Sequence, residues 1–146
     1  MGNQIPLTII MIEDDEGHAT LIERNIRRAG VNNEIIRFSS GTPALDYLVG
    51  GGGKPGVQNG RPYMVLLDLN LPDMSGVDIL RKLKETPKTE RIPVIVLTTT
   101  DDKNEIQRCY DLGCNVYVTK PVNYENFANA IRQLGLFFSV VQVPEL

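Results

Sequence analysis

Four apolar runs in this sequence lead into residues that can do chemistry. Residues 7–12 run into Glu13-Asp14-Asp15, and residues 64–67 run into Asp68, with Asn70 two positions on. Residues 94–98 close on Thr98, ahead of Thr99 and Thr100, and residues 116–118 lead through Thr119 to Lys120-Pro121. An ionised carboxylate is costly to bury without a partner, so a buried strand that ends on Asp68 asks for a cation. At an effective dielectric of ~20, two like charges ~4 Å apart repel by about 4 kcal/mol. If Glu13, Asp14 and Asp68 converge, they therefore need a cation or raised pKa values. Mg²⁺ suits them, because it takes one or two carboxylates, keeps several waters and completes its shell with phosphate oxygens. A carboxylate can also act as a nucleophile and form an aspartyl phosphate. Asp68 is placed for that role, with Mg²⁺ neutralising one side of a phosphoryl group, Lys120 the other, and the Thr98 hydroxyl as a donor.

These residues need strands to carry them and helices to cover the strands. Five short apolar runs, 7–12, 34–38, 64–67, 94–98 and 116–118, alternate with helical patterns. Leu21, Ile22, Ile26 and Ala29 recur at helical spacing, and Gly30 stops that helix. A second helix spans 40–48 and dissolves into Gly50-Gly51-Gly52-Gly53-Lys54-Pro55-Gly56. A third spans 75–84, with Val77, Leu80 and Leu83 on one face. Asp102-Lys103-Asn104-Glu105 resembles a capping box for the fourth, which Gly113 ends. Asn123 can cap a fifth, in which Phe127, Ile131, Leu134 and Phe138 share a face. This alternation predicts an α/β fold, a parallel sheet covered by helices on both sides, with the third strand central. Doubly wound sheets bind ligands beyond the carboxyl ends of their strands, where the winding reverses, and the reactive residues follow four of the five runs.

Composition narrows the alternatives. At 146 residues the chain suits one domain with a real core. A hydrophobic share of 42% against 23% charged is ordinary globular composition. A net charge of −3, with no Lys/Arg run, argues against a nucleic-acid-binding surface. Cys109 and Cys114 lack the further ligands that zinc needs and read as free thiols of a reducing cytosol. The first apolar run is too short for a membrane span or a signal core, and Pro6 spoils a myristoylation motif after Met1-Gly2. The expected location is cytoplasmic, with no membrane partner.

Taken jointly, Glu13-Asp14, Asp68, Thr98 and Lys120-Pro121 resemble the receiver domain of two-component response regulators. The segments LLDLNLPDMSG and RIPVIVLTTT, the long loop before the third strand and the apolar C-terminal extension look like the single-domain regulators paired with bacterial and cyanobacterial phytochromes. The resemblance implies a flavodoxin-like (CheY-like), doubly wound, five-stranded parallel sheet of order 2-1-3-4-5 with five helices. A receiver domain would span 1–138, and 139–146 would form a C-terminal extension serving as a dimerisation arm. Asp68 would be the phosphoacceptor, its donor a histidine kinase of the bacteriophytochrome type. Asp14 and Asp68 would ligate Mg²⁺ through side chains and Asn70 through its backbone carbonyl, while Glu13 holds a metal-bound water. Thr98 and Lys120 would contact the phosphoryl group, Tyr117 would be the switch aromatic, and the Lys120–Pro121 bond would be cis. With no output domain in the chain, the signal would leave by protein–protein contact. Such a protein assists its own phosphotransfer and dephosphorylation but is not an enzyme in the turnover sense.

Several residues invite other readings. Asp15 reads as a helix N-terminal charge rather than a ligand. His18 tempts as a phosphohistidine, but reads as a surface residue of the first helix. The glycine run fails as a phosphate loop, since no strand precedes it and Pro55 stands where Ser or Thr belongs, so it reads as a flexible surface loop. Leu136, Phe137, Val140, Val141 and Val143 either fold back on the domain or form a homodimer surface with the fifth helix, which the resemblance favours. An aspartyl-phosphate phosphatase of the haloacid-dehalogenase type would need Asp where Asn70 stands. A flavodoxin-like carrier would need a phosphate loop where Glu13-Asp14-Asp15 would repel phosphate.

Overall fold

The computed structural model describes residues 6–57, 61–99 and 101–120, together with 125 and 129. In chain order the elements are β1 (Thr8–Ile12), α1 (Glu16–Arg28), β2 (Ile35–Phe38), α2 (Gly41–Val49), β3 (Tyr63–Leu67), α3 (Gly76–Glu85), β4 (Val94–Thr98), α4 (Lys103–Leu112) and β5 (Val116–Thr119). The five strands form one sheet in the order β2-β1-β3-β4-β5, and every pairing is parallel. This is the doubly wound sheet expected from the sequence. Four helices lie among the described residues. Of the fifth, only Glu125 and Asn129 are described, both helical, and the predicted face of Phe127, Ile131, Leu134 and Phe138 lies outside the described residues, as does the C-terminal extension.

Strand alternation divides the core in two. Ile9 and Met11 of β1, Met64 and Leu66 of β3, Ile95 and Leu97 of β4, and Val116 and Val118 of β5 pack with Ala19, Ile22 and Ile26 of α1. Ile10, Ile12, Val65, Leu67, Val94 and Val96 face the other way, onto Ala44, Leu48, Ile79, Leu80, Leu83 and Cys109. Both faces of the central strands are thus dry, which explains why β3 and β4 read as continuous apolar runs. Each fully buried Leu or Ile contributes about 1.5–3 kcal/mol relative to leaving it exposed.

The helix ends follow local chemistry. Asp15 caps α1 by accepting from the His18 backbone N–H at 2.8 Å, so it is the helix N-terminal charge expected. Ser75 and Asp102 cap α3 and α4 in the same way, at 3.1 and 2.9 Å. Gly113 closes α4 in the left-handed region at φ +107°, where a side chain would be strained. The glycine run after α2 is a surface turn, but a hydrogen-bonded one. Gly51 N–H donates to the Lys54 carbonyl at 3.0 Å and Lys54 N–H returns to the Gly51 carbonyl at 2.8 Å.

At α2 the local residue fails and a distant one takes over. Ser40 makes no side-chain capping bond. Instead Asp73, from the loop that follows β3, accepts from the N–H groups of Gly41 and Thr42 at 2.8 and 2.7 Å. Those bonds, Gly41 first and then Thr42, hold the Asp73 carboxyl at about 2. A folded-state value below the unfolded one makes this stabilisation fully present above the ordinary carboxylate range and lost as pH falls towards 2. Asp73→Ala is expected to cost about 1 kcal/mol, the usual worth of an N-terminal cap. In urea denaturation the gap between the variant and the parent should hold at neutral pH and narrow on acidification below the ordinary carboxylate range.

Candidate functional site

The sheet ladders continue one residue past the strands and bring the reactive residues together. Ile12 is in register with Leu67, and the Asp68 N–H donates to the Ile12 carbonyl at 2.9 Å. Glu13 N–H donates to Phe38 O at 3.0 Å, and Lys120 N–H to Thr98 O at 2.7 Å. Alternation then sorts the side chains. Glu13 continues the parity of Ile9 and Met11, Asp68 that of Met64 and Leu66, and Lys120 that of Val116 and Val118, all on the α1 face. Thr98 and Tyr117 share the parity of Val94 and Val96, on the opposite face.

On the α1 face the charges meet. The Lys120 Nζ donates to Glu13 Oε1 at 2.6 Å and to Asp68 Oδ2 at 3.3 Å. All three side chains are buried, with Lys120 only 5% exposed. Glu13, Asp14 and Asp68 each offer a carboxylate oxygen, and these lie within 4.8 Å of one another, with Asp14 the exposed member. Burial pushes the Glu13 carboxyl above its usual range, while the Lys120 hydrogen bond opposes that and the neighbouring Asp68 adds to it. Three carboxylates against one ammonium leave a net of two negative charges, which is the charge of one divalent cation. The donors are hard oxygens, and the exposed Asp14 leaves room for water, so the set fits Mg²⁺ or a similar ion. Glu13, Asp14 and Asp68 would hold it.

Around this cluster stand residues that sequence reasoning had passed over or placed elsewhere. Arg37 of β2 donates from Nε to the Glu13 carbonyl at 3.0 Å and from its guanidinium NH2 to the Asp14 carbonyl at 3.3 Å, pinning the acidic loop from behind. Its neighbour in register, Met11, is two residues before Glu13, and that pairing was the available signal. His18, expected as a surface residue of α1, is half exposed, yet its Nδ1 lies 3.0 Å from Lys120 Nζ. The spacing from the Asp15 cap puts it one turn into α1, over the carboxyl ends of the strands.

Asn70 donates from its side-chain Nδ2 to Thr98 Oγ1 at 3.3 Å, and its backbone N–H donates to Asp68 Oδ1 at 3.1 Å. Its side chain thus links the acidic cluster to fully buried Thr98, a contact the sequence reading had not assigned. Thr99 is exposed. Tyr117 is half-buried against the core cluster opposite α1, and burial pushes its phenol up. Pro121, and with it the expected cis bond, lies outside the described residues. Cys109 and Cys114 are free and buried, and burial raises their thiols to about 11 and about 12, which keeps them protonated and inert. Among the described residues no helix is long and apolar enough to cross a membrane.

An open parallel sheet wound in this order, with an acidic cluster and a lysine at its carboxyl ends, defines an α/β domain of the receiver type. The chain belongs to the response regulator receiver domain family, whose model matches residues 9–132. It is 73% identical to a response regulator receiver domain from Rhodospirillum rubrum, whose crystal structure it matches at a TM-score of 0.78 over 94% of this chain and 97% of that one. The bacteriophytochrome response regulator RtBRR is 34% identical, with a TM-score of 0.81 over 97% of this chain and 85% of that one. Response regulator Rcp1 of Synechocystis is 30% identical over 91% of this chain and 89% of its own length. The Mn²⁺-bound form of Rcp1, 29% identical in the structural match, gives a TM-score of 0.76 over 96% of this chain and all of that one (100%).

The loop that carries Asp68 is closed by Gly76, for a steric reason. Gly76 N–H donates to the Leu69 carbonyl at 2.9 Å, and a Cβ on Gly76 would collide with the Asp68 carbonyl oxygen and with Leu69 Cα at 2.6 Å. Both obstacles are backbone and cannot swing aside. Gly76→Ala is therefore expected to destabilise the fold by about 1–3 kcal/mol, the usual cost of overpacking. It should also displace the Asp68 amide resonance in a ¹H–¹⁵N spectrum. A stability within error of the parent would contradict this close approach.

Proposed function

We propose that this protein is a phosphorylation switch in which Asp68 accepts a phosphoryl group from the phosphohistidine of a histidine kinase. The observation that carries the reading is the Lys120 ammonium shared between Glu13 and Asp68 inside a three-carboxylate cluster. A nucleophilic carboxylate oxygen of Asp68 forms the new P–O bond as the P–N bond of the donor breaks. Asp14 and Asp68, with the Asn70 backbone carbonyl, would hold Mg²⁺, Glu13 would hold a water bound to it, and the ion would supply countercharge for the phosphoryl oxygens. Lys120 already directs an N–H at the Asp68 carboxylate and needs only a small turn to meet a phosphoryl oxygen. Thr98 accepts from Asn70 through its oxygen, so its own hydroxyl proton remains for the phosphoryl group. Drawing Thr98 towards the phosphate would open space for Tyr117 on the same face, and the changed surface would engage the next protein.

The chain assists its own phosphotransfer and dephosphorylation without being an enzyme in the turnover sense. The similarity to the bacteriophytochrome response regulator RtBRR supports a phytochrome-type kinase as the donor, and the reading places the exchange in the cytoplasm. Two other chemistries fit less well. A phosphatase passing through an aspartyl phosphate needs an acid–base carboxyl where Asn70 stands, and that amide is committed to Thr98. A flavodoxin-like carrier would have to seat a phosphate on the carboxylates of Glu13 and Asp14.

Incubation with Mg²⁺ and a small phosphodonor should add one phosphoryl mass to the intact protein, and neither Asp68→Asn nor EDTA-treated protein should gain it. An undiminished gain in Asp68→Asn would remove Asp68 from the role. A homodimer formed through the fifth helix, of which only Glu125 and Asn129 are described, and through the C-terminal extension, which lies outside the described residues, is part of the same proposal. Light scattering should give a dimer for the full chain and a monomer for a chain cut after Phe138, and two monomers would end that part.

A further inference from the structure

His18 contributes a contact that neither the chemistry of Asp68 nor the packing of α1 requires. Its Nδ1 stands 3.0 Å from Lys120 Nζ. An ammonium is a donor only, so the imidazole nitrogen must be the acceptor, which fixes the neutral ring as the Nε2–H tautomer. The carboxylates of Glu13 and Asp15 lie 3.9 Å from the same nitrogen, beyond hydrogen-bond reach, and offer it no competing bond.

The ammonium of Lys120 has three N–H donors, and three acceptors surround it: Glu13 Oε1 at 2.6 Å, His18 Nδ1 at 3.0 Å and Asp68 Oδ2 at 3.3 Å. The shortest of these is to Glu13, and the Asp68 contact is the longest. With the two carboxylates alone, only the long contact to Asp68 would oppose rotation of this 5%-exposed ammonium about its shorter bond to Glu13. The imidazole occupies the third N–H from the side of α1 and so holds the remaining one towards Asp68. Being neutral, it does this without adding charge to a cluster whose surplus matches one divalent cation. The imidazole is itself placed by the helix start, because the His18 backbone N–H donates to the Asp15 carboxylate at 2.8 Å.

We propose that His18 is a positioning residue, which orients the Lys120 ammonium towards Asp68 and thereby sets the rate at which Asp68 takes up a phosphoryl group. This rests on the reading of Asp68 as phosphoacceptor. His18 is the only histidine in the chain, so its ring nitrogens can be observed without assignment ambiguity. A long-range ¹H–¹⁵N spectrum of the neutral ring should show Nε2 protonated and Nδ1 bare, and Lys120→Met should shift the Nδ1 resonance. A protonated Nδ1, or no response to Lys120→Met, overturns the inference whatever the kinetics.

The kinetic arm uses a small phosphodonor at saturating Mg²⁺. His18→Ala should phosphorylate roughly fivefold more slowly, the loss expected for one hydrogen bond in the transition state. His18→Asn, whose amide oxygen can stand where Nδ1 stood, should recover most of that loss. In a Lys120→Met background, His18→Ala should change nothing further, since the histidine acts only through the lysine. If the parent protein is phosphorylated and His18→Ala matches it, or if the loss persists without Lys120, the inference falls and the reading of Asp68 stands. If the parent takes up no phosphoryl group, both fall.

Discussion

A lysine ammonium buried between two carboxylates is the interaction on which the working end of this molecule depends. Removing an ion from water carries an effective cost of several kcal/mol, recovered only if the partners are close and well oriented. Lys120 meets Glu13 at 2.6 Å and Asp68 at 3.3 Å, so that recovery is available here. Those three residues come from the ends of three different strands. The ion cluster therefore exists only while the sheet holds β1, β3 and β5 in register, and the dry core on both faces is what holds them. Removing one partner would leave an uncompensated charge in place, a far larger loss than that of an exposed pair.

The loops at this end of the sheet are tied down by groups that do no chemistry. Arg37 grips the carbonyls of Glu13 and Asp14 and so fixes where the acidic loop leaves β1. Asp73 caps α2 from across the molecule and anchors the loop that begins at Asp68. Gly76 brings the start of α3 so close to the backbone of Asp68 and Leu69 that no side chain fits. The consequence is a carboxylate whose position is set by three elements at once. That rigidity suits a site in which three carboxylates and one ammonium must keep a fixed geometry.

Alternation along the strands gives the site two sides. Glu13, Asp68 and Lys120 lie with α1, whereas Thr98 and Tyr117 lie with the opposite helices. Asn70 spans the divide, with its backbone N–H on Asp68 and its side-chain amide on Thr98. A change of charge at Asp68 thus has a short physical route, through one residue, to the face that carries Tyr117.

Much of this was legible in the sequence, because strand ends and helix caps are local matters. The five apolar runs, the glycine at 113 and the acid–threonine–lysine set at successive strand ends follow from spacing and residue type. They led to the parallel sheet and to the cluster of Glu13, Asp14 and Asp68. Helix caps were legible where the capping residue was a neighbour, as with Asp15, and illegible where it was not, as with Asp73, which serves α2 from another loop. His18 and Arg37 were missed for the same reason: each acts on a partner brought near only by packing or strand pairing, over 102 residues in one case and 24 in the other. The need for glycine at 76 was illegible too, because it arises from a close approach to the backbone of Asp68 and Leu69 that only the fold creates. The sequence alone thus determined which residues stand at the carboxyl ends of the strands, since periodicity is a property of the chain. Which of them share a proton donor was decided only by the tertiary structure, because hydrogen bonds depend on distances and angles that strand register and helix packing set.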